Sequence, residues 1–179
     1  MDRKHQAEIS LASGYHMKET HMTTSNILTA ELVRRADSEH GDSTIERLVI
    51  QYGTQFGIDR PKGMRLGPAK NCFWNSYNGA GKHDGVLYVE GFAMVRGYPP
   101  IHHAWISLDG IQAIDLTLRD RASDTEFYGI PFSISLATEE LMASGATLPL
   151  FSLSKPISHL HALAEKAGSG FEKRPSASR

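Results

Sequence analysis

The stretch Ile101-His102-His103-Ala104-Trp105-Ile106-Ser107-Leu108-Asp109-Gly110-Ile111-Gln112-Ala113-Ile114-Asp115-Leu116-Thr117 decides how this chain is read. Ile101 to Leu108 and Ile111 to Leu116 are rich in β-branched and aromatic residues, which suit a pleated, half-buried surface, so both predict strands. Asp109-Gly110 between them is a strong hairpin signal. Register then decides which histidine meets Asp115, because a slip of one residue turns every side chain to the other face. If Asp109-Gly110 is a two-residue turn, His103 faces Leu116, Asp115 faces Ala104, and Asp115 shares its side with His102. A three-residue loop, Leu108-Asp109-Gly110 with Gly110 left-handed, sets His103 directly opposite Asp115.

Working outward, Val86 to Val95 predicts a third strand after the turn signal Asp84-Gly85. Cys72-Phe73-Trp74 through Tyr77, followed by Asn78-Gly79-Ala80-Gly81, reads as a short helix with a glycine-rich exit, which puts Cys72 in its first turn. The loop Arg60 to Pro68 is dense in turn residues and delivers the chain to Asn71-Cys72. Two helices precede it. One runs from caps at Thr24 or Ser25 to about Ala36. The other follows a capping box at Ser43 and Glu46, with Ile45, Leu48, Val49, Tyr52 and Phe56 at helical spacing up to Gly57. Downstream, a broken strand is expected within Glu126 to Ser135, a helix from Thr138, and a last helix over Pro156 to Ala167.

The order of helices first and an antiparallel sheet after them points to an α+β class. The 179 residues suit one domain over residues 25–167, with a flexible arm at 1–24 and a disordered tail at 168–179. Nineteen basic against twenty acidic side chains leave a net charge of −1, so no global field favours nucleic acid or an anionic membrane. The polar start lacks the apolar stretch of a secretory signal, and no apolar run approaches the roughly 20 residues that span a bilayer. A cytoplasmic chain with no nucleic-acid or membrane partner is expected.

Cys72 is the single cysteine, so it has no intramolecular disulfide partner. A thiol becomes nucleophilic as thiolate, and both a helix N-terminus and a neighbouring imidazolium favour that form. A histidine on a rigid strand can take its proton, and a carboxylate on the next strand can hold the ring in the useful tautomer.

The sequence His103-Ala104-Trp105-Ile106-Ser107-Leu108, a short gap, then Ile114-Asp115-Leu116-Thr117 resembles the His-Ala-Trp strand and following Asp-Pro-Thr strand of the transglutaminase-like fold. Gly91 after Tyr88-Val89-Glu90 is similar to the glycine-bearing strand between the cysteine helix and the histidine strand there. The resemblance covers roughly residues 65–135 and implies a Cys72, His103, Asp115 triad on a papain-like, transglutaminase-like α+β core. Arylamine acetyltransferases are similar in the order of Cys, His and Asp, and the block also looks like small proteins of bacteria and their phages. Leu116 replaces the family proline, and Asn71-Cys72-Phe73-Trp74-Asn75-Ser76 departs from the usual surroundings of a transglutaminase cysteine.

What this implies is cysteine-dependent acyl transfer or amide hydrolysis through a thioester on Cys72, acting on a protein, a peptide or a small acyl donor, with no cofactor and no metal. The backbone N–H of Cys72 is one expected oxyanion donor, and the side-chain amides of Asn71, Asn75, Gln51 and Gln55 are candidates for a second. Trp74, Trp105 and Tyr128 are candidate cleft walls, although aromatic residues there serve equally as core. The competing readings are a non-catalytic binding module or effector that keeps the fold, and a zinc-dependent hydrolase. Zinc on His102, His103 and Cys72 is disfavoured because adjacent strand residues point to opposite faces, and His159 with His161 is the other short chelating pair. Gly79-Ala80-Gly81-Lys82-His83 is not a phosphate loop, since Tyr77 stands where its first glycine belongs and His83 replaces the Ser/Thr.

Overall fold

The computed structural model describes residues 27–37, 44–118 and 124–169. The expected arm at 1–24, the caps Thr24, Ser25 and Ser43, and the tail from residue 170 lie outside these residues. Helices α1 (Ile27–Ala36) and α2 (Thr44–Tyr52) come first, then β1 (Thr54–Ile58) and α3 (Cys72–Ala80). Strands β2 (Leu87–Val95), β3 (Ile101–Ser107), β4 (Gln112–Ala113) and β5 (Thr125–Ser133) follow, and α4 (Ile134–Ala143) and α5 (Ile157–Ser169) complete the fold. It is an α+β architecture.

The five strands form one mixed sheet in the order β3-β2-β5-β1-β4, with only β1 and β4 parallel. The sheet curls until its ends meet. Just past β4, Ile114 bridges back to Ile106 of β3, with backbone N–O distances of 2.8 and 3.1 Å. Strand alternation gives the sheet two different faces. Tyr88, Phe92 and Met94 of β2, with Ala104 and Ile106 of β3, join the main core beneath the helices, together with Leu28, Leu48, Leu160 and Phe151. The enclosed face carries a second cluster, Phe56, Val89, Ala93, Trp105, Ala113 and Phe127. Trp105 is fully buried there, edge-on to Phe56 and Phe127 at ring separations of 5.5 and 5.1 Å.

Several boundaries differ from the sequence expectation, each for a local physical reason. The second helix stops at Tyr52 rather than near Gly57. Gly53 packs so tightly that an added Cβ would lie 2.4 Å from the Val49 carbonyl and 3.0 Å from that of Gly129. The chain turns there, and Phe56 belongs to strand β1 and the enclosed cluster instead of to a helical stripe. The fourth helix starts at Ile134, not Thr138, because Ser133 is its N-cap and its hydroxyl accepts the Leu136 N–H at 3.2 Å. Gly168 and Ser169, expected in the tail, are the last residues of α5. Helix α1 receives its acidic cap from a distant strand, the Glu126 carboxylate accepting the Leu28 N–H at 2.8 Å.

The expected strand Ile111 to Leu116 is short. Only Gln112 and Ala113 ladder with β1, and Ile114 makes the single bridge to β3. The connection from Ser107 to Gln112 is longer than either turn considered from sequence. Asp109 accepts the N–H groups of Ile111 and Gln112, both at 2.8 Å, Ser107 Oγ donates to the Gln112 carbonyl at 2.6 Å, and Gly110 adopts φ 73. Neither expected register is formed. With Ile106 opposite Ile114, His103 and Asp115 meet diagonally on the enclosed face rather than squarely opposite.

Among the described residues no helix is long and apolar enough to cross a membrane. The role of Gly53 is open to direct test. Gly53→Ala is expected to lower the unfolding free energy by about 1–3 kcal/mol, the usual cost of an overpacked site. Urea denaturation measures it, and an unchanged midpoint would remove this account of the helix-to-strand switch.

Candidate active site

Cys72 begins α3, and the chain enters that helix through a sharp turn in which Lys70 adopts the left-handed φ of 61°. The thiol is partly exposed. Asn71 is the N-cap, but its side chain makes no capping hydrogen bond, so its amide and the first-turn N–H of Cys72 remain available at the helix start. Helix α3 packs along β3, where Gly79 lies against Ile106 and Leu116.

His103 is buried on the enclosed face, its Nε2 2.8 Å from Asp115 Oδ2. Asp115 is itself fixed, because its other oxygen accepts the N–H groups of Thr117 at 2.7 Å and Leu118 at 3.0 Å. Together these hydrogen bonds keep the carboxylate aimed at the ring. Burial alone would depress the His103 pKa, but the hydrogen bond to Asp115 and the nearby Cys72 thiol outweigh it and raise the ring to about 9. Because Asp115 occupies Nε2, Nδ1 is the ring atom left for the thiol. The structure thus brings Cys72, His103 and Asp115 together around one imidazole that is protonated at neutral pH.

His102 takes the opposite face and a different partner. Its ring lies between Phe73 and Phe92, at 5.0 and 5.6 Å, and its Nε2 is 3.1 Å from Glu90 Oε1, within ion-pair reach but out of line for a hydrogen bond. Glu90 is fully buried and saturated by donors: the Tyr88 hydroxyl at 2.7 Å and the N–H groups of Leu150 and Phe151, both at 2.8 Å. Burial, and after it the Glu90 carboxylate, push the Tyr88 phenol well above its usual pKa, which keeps it a donor. The sequence reading missed this cluster. Its signal was a lone glutamate inside the apolar run Tyr88-Val89-Glu90-Gly91-Phe92, where a carboxylate without partners would be prohibitively costly.

The other sequence candidates separate cleanly. Asn75 is corrected from oxyanion donor to structural clamp: its Nδ2 donates to the Pro68 carbonyl at 2.8 Å and to Thr117 Oγ1 at 2.9 Å, so both its hydrogens are spent. It ties the loop before α3 to the segment that carries Asp115, and Gly67 leaves room for it, an added Cβ there lying 2.2 Å from its Oδ1. Gln51 and Gln55 are exposed on α2 and β1, and no hydrogen bond among the described residues joins either to Cys72 or His103. Trp105 is core rather than cleft wall, being fully buried. Tyr128 packs on the helix-covered face, paired with Phe92, and burial raises its phenol. Trp74 remains at the surface, edge-on to Tyr77 at 5.9 Å.

No group of three or more His, Cys, Asp or Glu side chains among the described residues is placed to hold a metal ion. His159 bonds Glu140 at 2.7 Å, and His161 lies edge-on to Tyr52. A small cavity of about 160 Å³ opens beside Asp115, walled by Arg60, Pro61, Met64, Leu66 and Leu118. A larger one of about 350 Å³ lies at the β2–β3 connection near Tyr98 and Pro100, away from every residue singled out from the sequence. No protein-family model, curated protein or solved structure matches the chain.

The histidine sets a pH signature. A group whose pKa is higher folded than unfolded adds stability in full below its unfolded value, here about 6.5, and loses it as the pH climbs through about 9. Unfolding free energy is therefore expected to fall across that window in the parent protein and to fall much less in Asp115→Asn, as urea denaturation at graded pH reads out. Asn75→Ala is expected to cost about 1–3 kcal/mol by stranding the Thr117 hydroxyl and the Pro68 carbonyl. An unaltered denaturation midpoint would return Asn75 to the oxyanion candidates.

Proposed function

We propose that this chain is a cysteine-dependent acyltransferase or amide hydrolase of the papain-like, transglutaminase-like kind, working through a thioester on Cys72. The observation that carries the reading is the buried His103 ring, held by Asp115 on one nitrogen and set beside the Cys72 thiol. A histidine raised to about 9 next to a thiol at a helix start supports a thiolate–imidazolium pair, the reactive form of such sites.

In this reading the Cys72 sulfur attacks an acyl carbonyl, and the tetrahedral oxyanion is met by the Cys72 N–H, with the unspent amide of Asn71 as its side-chain partner. His103 gives its proton to the departing amine as the C–N bond breaks and the thioester forms. Water or an acceptor amine then attacks the thioester while His103 takes its proton, and the thiol is released. Asp115 keeps the ring in the tautomer that presents Nδ1 to sulfur and stabilises its positive charge in the steps where the ring carries the proton. A protein, a peptide or a small acyl donor fits this chemistry, and the reaction needs no cofactor.

The test is the rate of Cys72 alkylation by iodoacetamide as a function of pH. The parent thiol is expected to react well below the ordinary thiol pKa of about 8.5. His103→Ala should shift that profile upward by more than one pH unit, whereas His102→Ala, which alters the Glu90 pair on the opposite face, should leave most of the activation in place. A slow thiol that titrates normally and is indifferent to His103 would overturn the enzyme reading in favour of a non-catalytic binding module.

A further inference from the structure

The row of the sheet that starts at His103 continues with two glycines side by side. Gly91 of β2 pairs with His103 across one ladder and with Gly129 of β5 across the other. Neither glycine has the positive φ that would demand the residue for its backbone freedom. What excludes a side chain is space. A Cβ on Gly129 would lie 2.7 Å from Cη2 and 2.9 Å from Cζ2 of Trp105, and 2.9 Å from the Glu90 carbonyl. A Cβ on Gly91 would meet the backbone of Tyr128 and Gly129 at 2.3–2.4 Å.

Trp105, two strands from Gly129, therefore reaches across β2 with the far edge of its indole against Gly129. His103 stacks on that same indole at 6.4 Å and 26°, and Phe127 flanks both rings. Trp105 also bears an unusual cost: its indole N–H is buried and has no hydrogen-bond partner among the described residues. A phenylalanine would avoid that penalty but would fall short of Gly129. The size of the ring, not its polar handle, is what the site uses.

We propose that Gly129 is a positioning residue for His103: by presenting no side chain, it lets the Trp105 indole lie flat across the sheet, and that indole holds the imidazole between Asp115 and Cys72. The inference rests on the Cys72–His103 reading for its catalytic meaning, but the placement of His103 against Asp115 can be measured without any reaction. Displacing the indole tips His103 away from Asp115, while burial continues to act on the ring. The ring then loses its protonation at lower pH.

Three variants test this: Gly129→Ala, Trp105→Phe and the two combined. The readout is the titration of His103 followed by NMR of histidine-labelled protein, beside the unfolding free energy and the alkylation profile of Cys72. The parent ring is expected to titrate near pH 9. Gly129→Ala should lower that value by at least about one unit, roughly tenfold in the proton-binding constant. Trp105→Phe should lower it too, because the platform under the imidazole shrinks. The combined variant should bring the titration back toward the parent, since the new methyl fills the space the indole edge vacates. Its stability should stay reduced, because the Glu90 carbonyl still crowds that methyl.

A purely structural role for Gly129 would move stability in all three variants without this fall and recovery of the His103 titration. A folded Gly129→Ala protein with an unchanged His103 would overturn the proposal. If Gly129→Ala does not fold, the combined variant decides: recovery of a parent-like titration supports the assignment, and an ordinary histidine or an unfolded chain overturns it. An inert Cys72 in a parent whose His103 still titrates near pH 9 would sink the enzyme reading alone, leaving the positioning role to stand on the variants.

Discussion

The two backbone hydrogen bonds between Ile106 and Ile114 are the constraint on which the rest of this structure depends. They join the two ends of a sheet whose strand order would otherwise leave β3 and β4 at opposite edges. They also fix the register that carries Asp115 to His103. A slip of one residue would turn Asp115 to the face of His102, where Glu90 already stands 3.1 Å from the ring. Closure also creates the enclosed face, and with it the dry surroundings in which a His–Asp pair is strong.

Two buried carboxylates then organise the two sides of the sheet. Each is surrounded by donors, as a carboxylate removed from water must be. Asp115 is held by two backbone N–H groups and directs its remaining oxygen at His103. Glu90 gathers Tyr88, His102 and the backbone of Leu150 and Phe151, anchoring the segment between α4 and α5 to the middle of β2. Adjacent histidines thus serve separate networks. Alternation along one strand is enough to divide the carboxylate that anchors the chain before α5 from the one that holds His103.

The cysteine helix is placed by contacts of its first-turn side chains rather than by its own side-chain capping. Asn75 bolts it to the preceding loop and to Thr117, two residues beyond Asp115, while Phe73 packs on His102. The thiol and the carboxylate are therefore referenced to the same short segment of chain. For the proposed reaction such over-determined placement matters, because small displacements of a nucleophile from its base are costly in rate.

Much of this was legible in the residues themselves. Composition and the order of apolar patterns determined the α+β class. The glycine-rich exit after Tyr77 marked the helix of Cys72, and the β-branched run around Trp105 marked the strand of His103, because these periodicities are local properties of the chain. Cys72, His103 and Asp115 were visible as residue types and by their order along the chain. Tertiary structure decided everything that depends on distant partners. It ended α2 at Tyr52, because Gly53 touches the backbone of β5, and it made a strand of Thr54–Ile58 from residues that also fit a helical stripe. The connection at Asp109 came out longer than a tight turn, because its side chain collects backbone N–H groups that no ladder satisfies. Asn75 became a clamp once Pro68 and Thr117 arrived beside it, and the need for glycine at 129 appears only when an indole from two strands away lies over it. A sequence states which groups are present and which local shapes they prefer. Which buried group meets which is set by the closing of the sheet, where packing and hydrogen-bond satisfaction must be met by the whole chain at once.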